Sequence, residues 1–138
     1  MIDSLKASVM IAGSGLEAQT QRMRVVSENI ANSNTTGNTP GADPYQRKTI
    51  SFINELDRTS GVSKVQVHKV GVDDSAFPTI VDPYHIAADE NGKVKTPNVE
   101  LVMEMADMRE TIRAYEANLQ AVKQARELIS MTIDMMRG

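Results

Sequence analysis

An α+β fold is predicted for this chain of 138 residues, with long N- and C-terminal α-helices forming a coiled coil around a small, mostly β middle region. Two matched apolar stripes and one change of rhythm predict it. Near the start, alternating steps of three and four visit Ile2, Leu5, Val9, Ala12, Leu16, Gln19, Met23, Val26 and Ile30. Near the end the same steps visit Leu101, Met105, Met108, Ile112, Tyr115, Leu119, Val122, Arg126, Ile129, Ile133 and Met136. This is the spacing of a helical seam. Between the stripes the pattern turns to short extended pieces.

Residues 1–31 form the first element. At ~1.5 Å per residue the two helices would run ~45 and ~55 Å, more than a compact domain of this size is wide. Their seams therefore have partners to find in each other, in other subunits, or in both. Gln19 and Arg126 place polar groups in the seam, where they set register and partner number at a cost in stability. Gly13 and Gly15 each weaken the first helix by roughly 1 kcal/mol relative to Ala, or mark a close approach of backbones. The block "SENIANSNTTGNTPG" at 27–41 ends that helix, because Asn and Gly accept left-handed dihedrals and Thr prefers extended ones.

Residues 32–97 make the β-rich middle. Its extended pieces are "YQRKTISF" at 45–52, "SKVQVHKVGV" at 63–72 and "FPTIVDP" at 77–83. Val65 and Val67 alternate with polar neighbours, and Val70 with Val72 continues on the other parity, which points to a bulge near Lys69. Asn91-Gly92 offers a tight turn. The third element, 98–138, is a helix that follows Pro97, with Asn98 as its cap and Glu100 and Glu104 near the positive end of the dipole.

Composition excludes several function classes. Two Phe, three Tyr and no Trp stand against nine Met, so an aromatic-centred core is not expected. The net charge is −3, and no segment has a basic excess: residues 1–31 hold three acidic and three basic groups, 32–97 eight and seven, 98–138 seven and five. Nucleic acid is a poor partner for such a surface. With no cysteine there is no disulfide framework, thiol nucleophile or thiolate metal site. Nothing approaches the ~18 apolar residues of a membrane span. "VMIA" after Lys6 is too short for the apolar centre of a cleaved secretion signal.

Catalytic and cofactor motifs fail in turn. "GSGLEA" at 13–18 has the G-x-G-x-x-A form, but the heptad runs through it and no βαβ unit follows. His68 and His85 are the two histidines, and Asp82, His85 and Asp89 have no recognised metal spacing. "NTT" at 34–36 matches a glycosylation acceptor, a pattern common by chance. No catalytic residue, metal ligand, cofactor or small-molecule substrate is assigned.

Two stretches carry a resemblance. "ENIANSNTTG" at 28–37, with Asn29, Ile30, Ala31, Asn32, Thr36 and Gly37, resembles the N-terminal signature of the bacterial flagellar rod, hook and distal-rod proteins. "DPYHIAADENGKVKTPNVELVMEMADMRETIRAYEANLQAVKQA" at 82–125 resembles the proximal-rod members of that family. The matching positions are Asp82, Pro83, His85, Ala88 and Asp89, then Pro97, Asn98 and Val99, then Glu104, Met105, Asp107 and Met108, then Arg113, Ala114, Tyr115 and the residues through Asn118. Ile86 stands where the family usually has proline, and Lys93 where an aromatic is common.

The resemblance implies a non-enzymatic subunit of the flagellar basal-body rod, within the periplasm, exported by the flagellar type III apparatus without a cleaved signal. Its implied partners are other copies of itself, other rod proteins, the basal-body ring and the export apparatus. Leu5, Val9, Leu16, Met23, Val26 and Ile30, with Met105, Met108, Ile112, Tyr115, Leu119, Val122, Ile129 and Ile133, then form the seam through which copies assemble helically and transmit torque. A free monomer would leave its termini loosely ordered until assembly. The alternative is a soluble helical adaptor or export-related binding module.

Overall fold

The computed structural model describes residues 2–138; Met1, the first residue of the expected N-terminal segment, lies outside them. Helix α1 spans Ile2–Ala31 and helix α2 spans Leu101–Arg137. Between them lie β1 (Lys48–Asp57), β2 (Val62–Val72), β3 (Thr79–Val81) and β4 (Lys93–Lys95). The α+β class and both terminal helices match the expectation. β1 starts three residues later than the extended piece at 45–52 and runs on to Asp57, and β4 was not anticipated at all. Three residues are too few to show an alternating pattern.

Two compact units divide the chain. One, the hairpin unit, comprises the chain up to Met23, Ser51–Lys69 and Arg109–Gly138; the other, the loop unit, comprises Arg24–Ile50 and Val70–Met108. Each unit therefore draws on the N-terminal, middle and C-terminal segments.

In the hairpin unit the two helices run antiparallel. Gly15 lies against Asn118, and Arg22 pairs with Glu110 at 3.7 Å, so numbers rise along α1 as they fall along α2. The face they bury is made of small and polar residues: Ala12, Gly15 and Ala18 on α1, and Thr111, Val122 and Ala125 on α2. A Cβ built on Gly15 would lie 2.7 Å from Asn118 Nδ2, whereas one on Gly13 meets nothing within 4 Å. Only Gly15 is thus a point of close approach. Small side chains let the backbones come together, and larger ones are displaced to the flanks.

That displacement divides the expected seam positions between the buried face and its flanks. On α2 the buried positions Thr111 and Ala125 precede Ile112 and Arg126 by one residue, a rotation of ~100° about the helix axis. Tyr115, Leu119 and Ile129 are half-buried and Val122 is buried, but Ile112 and Ile133 are exposed. On α1, Leu5, Val9, Leu16 and Met23 are half-buried. Gln19 Oε1 is buried without a hydrogen-bond partner, and Arg126 is exposed, so the two polar seam positions do not satisfy each other.

β1 and β2 pair as a two-stranded sheet, joined by residues 58–61 and so necessarily antiparallel. Asp57 shapes the turn. Its carbonyl accepts from Gly61 N at 2.7 Å, its carboxylate accepts from Thr59 N at 3.0 Å, and Lys64 pairs with it at 2.8 Å. Gly61 takes φ of 72°, which a side chain would resist. One edge of the hairpin meets α1, where Val65 N donates to Ser14 Oγ at 3.1 Å. Val65 and Val67 are half-buried, while Val70 and Val72 are exposed within one continuous strand. The change of parity is thus a change of face.

In the loop unit, β3 pairs antiparallel with β4 in the register Thr79↔Lys95, Ile80↔Val94 and Val81↔Lys93. Val94 is fully buried. The Asn91-Gly92 turn forms as expected, with Gly92 at φ 73° and Asp89 Oδ1 accepting from Asn91 N and Lys93 N. α1 ends differently from expectation, since no non-glycine residue among those described has positive φ. Asn32 instead folds its side chain back, Nδ2 donating to Glu28 O at 2.8 Å. The Glu28 carbonyl, which also accepts from Asn32 N at 3.0 Å, thus takes two bonds from one residue, and the helix ends without a left-handed residue. Asn98 is likewise not a cap: α2 begins at Leu101, and the Asn98 amide is engaged elsewhere, as described below.

Two measurements test these packing arguments. Gly13→Ala should raise stability by about 1 kcal/mol through helix propensity, whereas Gly15→Leu should lower it by about 2 kcal/mol by overpacking against Asn118, both read from thermal unfolding. Equal effects would mean the helices do not approach at Gly15. The bonds around Asp57, chiefly that from Lys64, lower its pKa from 3.8 to about 2. A lowered carboxylate contributes stability above its ordinary pKa and loses it as pH falls through the folded value. An NMR carboxyl titration of Asp57 should therefore have its midpoint near 2; a midpoint at the ordinary value would show that the turn is open.

Candidate assembly interface

The loop unit is organised by a buried polar node. Asn29, on the last turns of α1, is 1% exposed and saturates both ends of its amide. Oδ1 accepts from Tyr45 OH at 2.7 Å and Lys48 N at 2.9 Å; Nδ2 donates to Lys48 O at 2.9 Å and Glu104 Oε2 at 3.4 Å. One helical side chain thereby serves the start of β1 as a neighbouring strand would. Lys48 Nζ reaches back to Glu28 at 2.6 Å, holding the same junction from outside.

Glu104, in the first turn of α2, is also 1% exposed. A buried carboxylate needs a counter-charge and hydrogen bonds. Arg47 supplies both through Nε, and its Nη1 reaches Asp73 Oδ2 at 3.3 Å. The hydrogen bond to Glu104 is the main reason the Arg47 pKa lies above its ordinary value. Burial pushes the Tyr45 phenol up as well, and its hydroxyl donates to Asn29. Backbone and side-chain donors of Ser75 hold Asp73 below the usual carboxylate range, with Arg47 adding to the effect.

Asn98 completes the node. Its Oδ1 accepts from Arg47 N at 2.8 Å, and Nδ2 donates to Asp73 O at 3.0 Å and to Ser75 O at 3.2 Å. Beside these groups lies an open cleft of about 420 Å³, walled by Pro78, Val99 and Met103. Three residues of the family signature thus meet: Glu104 accepts from both Asn29 and Arg47, and Asn98 accepts from Arg47 N. Arg47 itself was not singled out from the sequence, because its partners lie 57 and 26 residues away.

The other signature residues lie in the loops and along the helices. Thr36 Oγ1 lies 3.5 Å from His85 Nε2, bringing the loop after α1 to the loop that contains Asp82 and Pro83. At Gly37 a Cβ would fall 2.6 Å from that of Ala42, so the turn requires glycine. Pro97 is buried; Ile30, Asn32, Val99, Ala114 and Tyr115 are half-buried; Ala31 is exposed. Val26 is buried, Met108 half-buried, and Met105 exposed at 50%.

The large apolar side chains lie outside. Apart from Pro44 and Pro97, the buried apolar residues among those described are Ala or Val: Ala12, Ala18, Val25, Val26, Ala87, Val94, Val122 and Ala125. α2 of the hairpin unit exposes Ile112 (41%), Leu128 (49%), Met131 (55%), Ile133 (40%), Met135 (82%) and Met136 (75%). Within the loop unit Leu101, Val102, Met103 and Met105 are exposed in the same way. Apolar surface on this scale marks contact sites. No helix among the described residues is long and apolar enough to cross a membrane, and no group of three or more His, Asp or Glu is placed to hold a metal ion.

Removing the carboxylate tests the node. Glu104→Ala leaves Arg47 and Asn29 facing a buried void and should cost about 3 kcal/mol in chemical unfolding, with Glu104→Gln costing less because an acceptor remains. A loss below about 0.5 kcal/mol, the range of ordinary surface changes, would show that the node is not buried.

Comparison with known proteins agrees with this geometry. Residues 10–39 match the family described as flagella basal body rod protein, and residues 90–135 match the flagellar basal body rod FlgEFG protein C-terminal family. The flagellar basal-body rod protein FlgC of Agrobacterium fabrum is 57% identical over 137 residues, 99% of each chain. The FlgC proteins of Borreliella burgdorferi and Salmonella typhimurium are 32% and 34% identical, covering 97% and 91% of this chain and 99% and 92% of their own. Two separate motifs, full-length similarity and the α+β arrangement agree: the chain belongs to the FlgC family of flagellar basal-body rod proteins, structural subunits of the rod.

Proposed function

We propose that this rod subunit assembles helically through the apolar flanks of its two terminal helices, and that torque passes along those packed flanks. One observation carries the reading: prolines aside, the described residues bury only Ala and Val among apolar side chains, while Ile112, Leu128, Met131 and Ile133 are exposed along α2. At about 25 cal/mol per Å² of apolar surface removed from water, a partner helix on that flank supplies stabilisation that the monomer lacks. The antiparallel pairing inside the subunit occupies the small-residue face, so Ile112, Leu128 and Ile133 remain for neighbours. Met131, Met135 and Met136 suit such a surface, since unbranched thioether chains adapt to irregular partners.

An open helical tube requires a heterologous contact, with different faces meeting on each side of the subunit. The half-buried residues Leu16, Met23 and Ile30 of α1 offer one such face, and the exposed column of α2 offers another. The partners are further copies of the chain and other rod proteins, with the basal-body ring and the export apparatus at the ends of its path. Its place is the periplasmic part of the basal body, reached through the flagellar export apparatus. Ordering of the helix ends is completed as neighbours bind.

Ile112→Asp tests the seam without disturbing the monomer, because that side chain is already 41% exposed. Expression, far-UV circular dichroism and thermal midpoint should stay within the range of a surface change, while rod assembly and swimming are lost. Normal motility would count decisively against the seam. Recovery of the protein in purified basal bodies separates this reading from a soluble adaptor, which would remain in the soluble fraction.

A further inference from the structure

His85, half-buried in a loop of the loop unit, has an arrangement that only its uncharged form can satisfy. Ala87, 1% exposed, has its peptide held on both sides: its carbonyl accepts from Gly41 N at 3.1 Å, and its N–H donates to His85 Nδ1 at 3.0 Å. On the other side of the ring, Nε2 lies 3.5 Å from Thr36 Oγ1. The imidazole therefore sits between its own loop and the loop that leaves α1. His85 N donates to Asp82 O at 3.1 Å and Ala88 N donates to His85 O at 3.0 Å, which fix the ring's backbone in place.

A ring nitrogen that accepts a hydrogen bond must carry a lone pair. The proton of the neutral ring is then on Nε2, directed toward the Thr36 hydroxyl, and a second proton has Nδ1 as its remaining site. There it would confront the Ala87 N–H, donor against donor. We propose that His85 is a one-proton latch: neutral, it fastens the buried Ala87 peptide against the loop after α1; protonated, it releases that peptide and loosens the Gly41 bond with it. Its half-buried position leaves the ring open to solvent protons.

The charged groups on the surrounding elements are otherwise engaged or belong to the same loop. Asp43, after α1, is held by Lys95 at 3.0 Å, and Glu28 of α1 by Lys48 at 2.6 Å. Asp89 Oδ1 accepts from Asn91 N and Lys93 N. Asp82 and Glu90 lie on the His85 loop itself, and Lys93 leads into β4. The ring's hydrogen-bond contacts are those with Ala87 and Thr36.

Amide hydrogen exchange on the full-length ¹⁵N-labelled protein, followed by NMR across a pH series, tests the latch, with ring protonation read from the His85 ring resonances. Corrected for intrinsic exchange, protection of the Ala87 amide should fall at least about tenfold in step with ring protonation, and Gly41 should follow. Lys93 N, which donates to Asp89, should keep its protection over the same interval. In His85→Asn the side-chain Oδ1 stands where Nδ1 did and still accepts but does not titrate, so Ala87 protection should stay flat. Unchanged Ala87 protection through complete ring protonation overturns the proposal, as does an identical pH response in His85→Asn.

Discussion

A carboxylate with almost no exposed surface constrains everything around it. Glu104 sits in the first turn of α2, 1% exposed, and an uncompensated charge there would be prohibitive. Arg47 must therefore approach it, and because Arg47 immediately precedes β1, the strand enters where the pair dictates. Asn29 adds a contact from α1, binding the Lys48 backbone on one side and Glu104 on the other. One ion pair and one amide thus join both helices to the start of the hairpin. The arrangement is polar, so it specifies geometry more narrowly than apolar packing of the same size, in which side chains slide at little cost.

The hairpin unit follows a different rule. Its helices meet through Gly15, Ala18, Thr111 and Ala125, residues with little to bury. Close approach gains dispersion contacts but limited apolar area. The larger side chains, turned outward by one position of the heptad, form flanks that an assembled rod subunit can cover. A chain selected to be stable alone would place Ile112 and Leu128 inside; here they are 41% and 49% exposed. On the proposed mode of assembly, stability withheld from the monomer is available to the rod.

The loops between α1 and α2 are held by side chain to backbone bonds more than by packing. Asn32 closes the end of α1, Asp57 and Asp89 shape their turns, and His85 secures Ala87. Short polar side chains of this kind compete well with water when they bond locally. Their use explains how a middle region with few aromatic residues keeps definite loops. It also makes one of those loops sensitive to a single proton.

By itself the sequence determined both terminal helices, the α+β class, the turns at Asn91-Gly92 and after Ala31, and, through two motifs, the family. Each of these rests on local information: periodicity, turn chemistry, or a contiguous string of residues. The tertiary structure decided which column of the heptad is buried, because three-and-four spacing on α2 fits the line through Ile112 and Ile133 as well as the line through Thr111 and Ala125. Hydrophobicity favoured the first line; the need for small residues at close approach selected the second. It also decided the roles of Asn98 and Arg47, whose partners lie too far along the chain for spacing to reveal. Asn98 reads as a helix cap until Arg47 and Ser75 are folded against it, and Glu104 reads as a dipole partner until its burial demands a counter-charge.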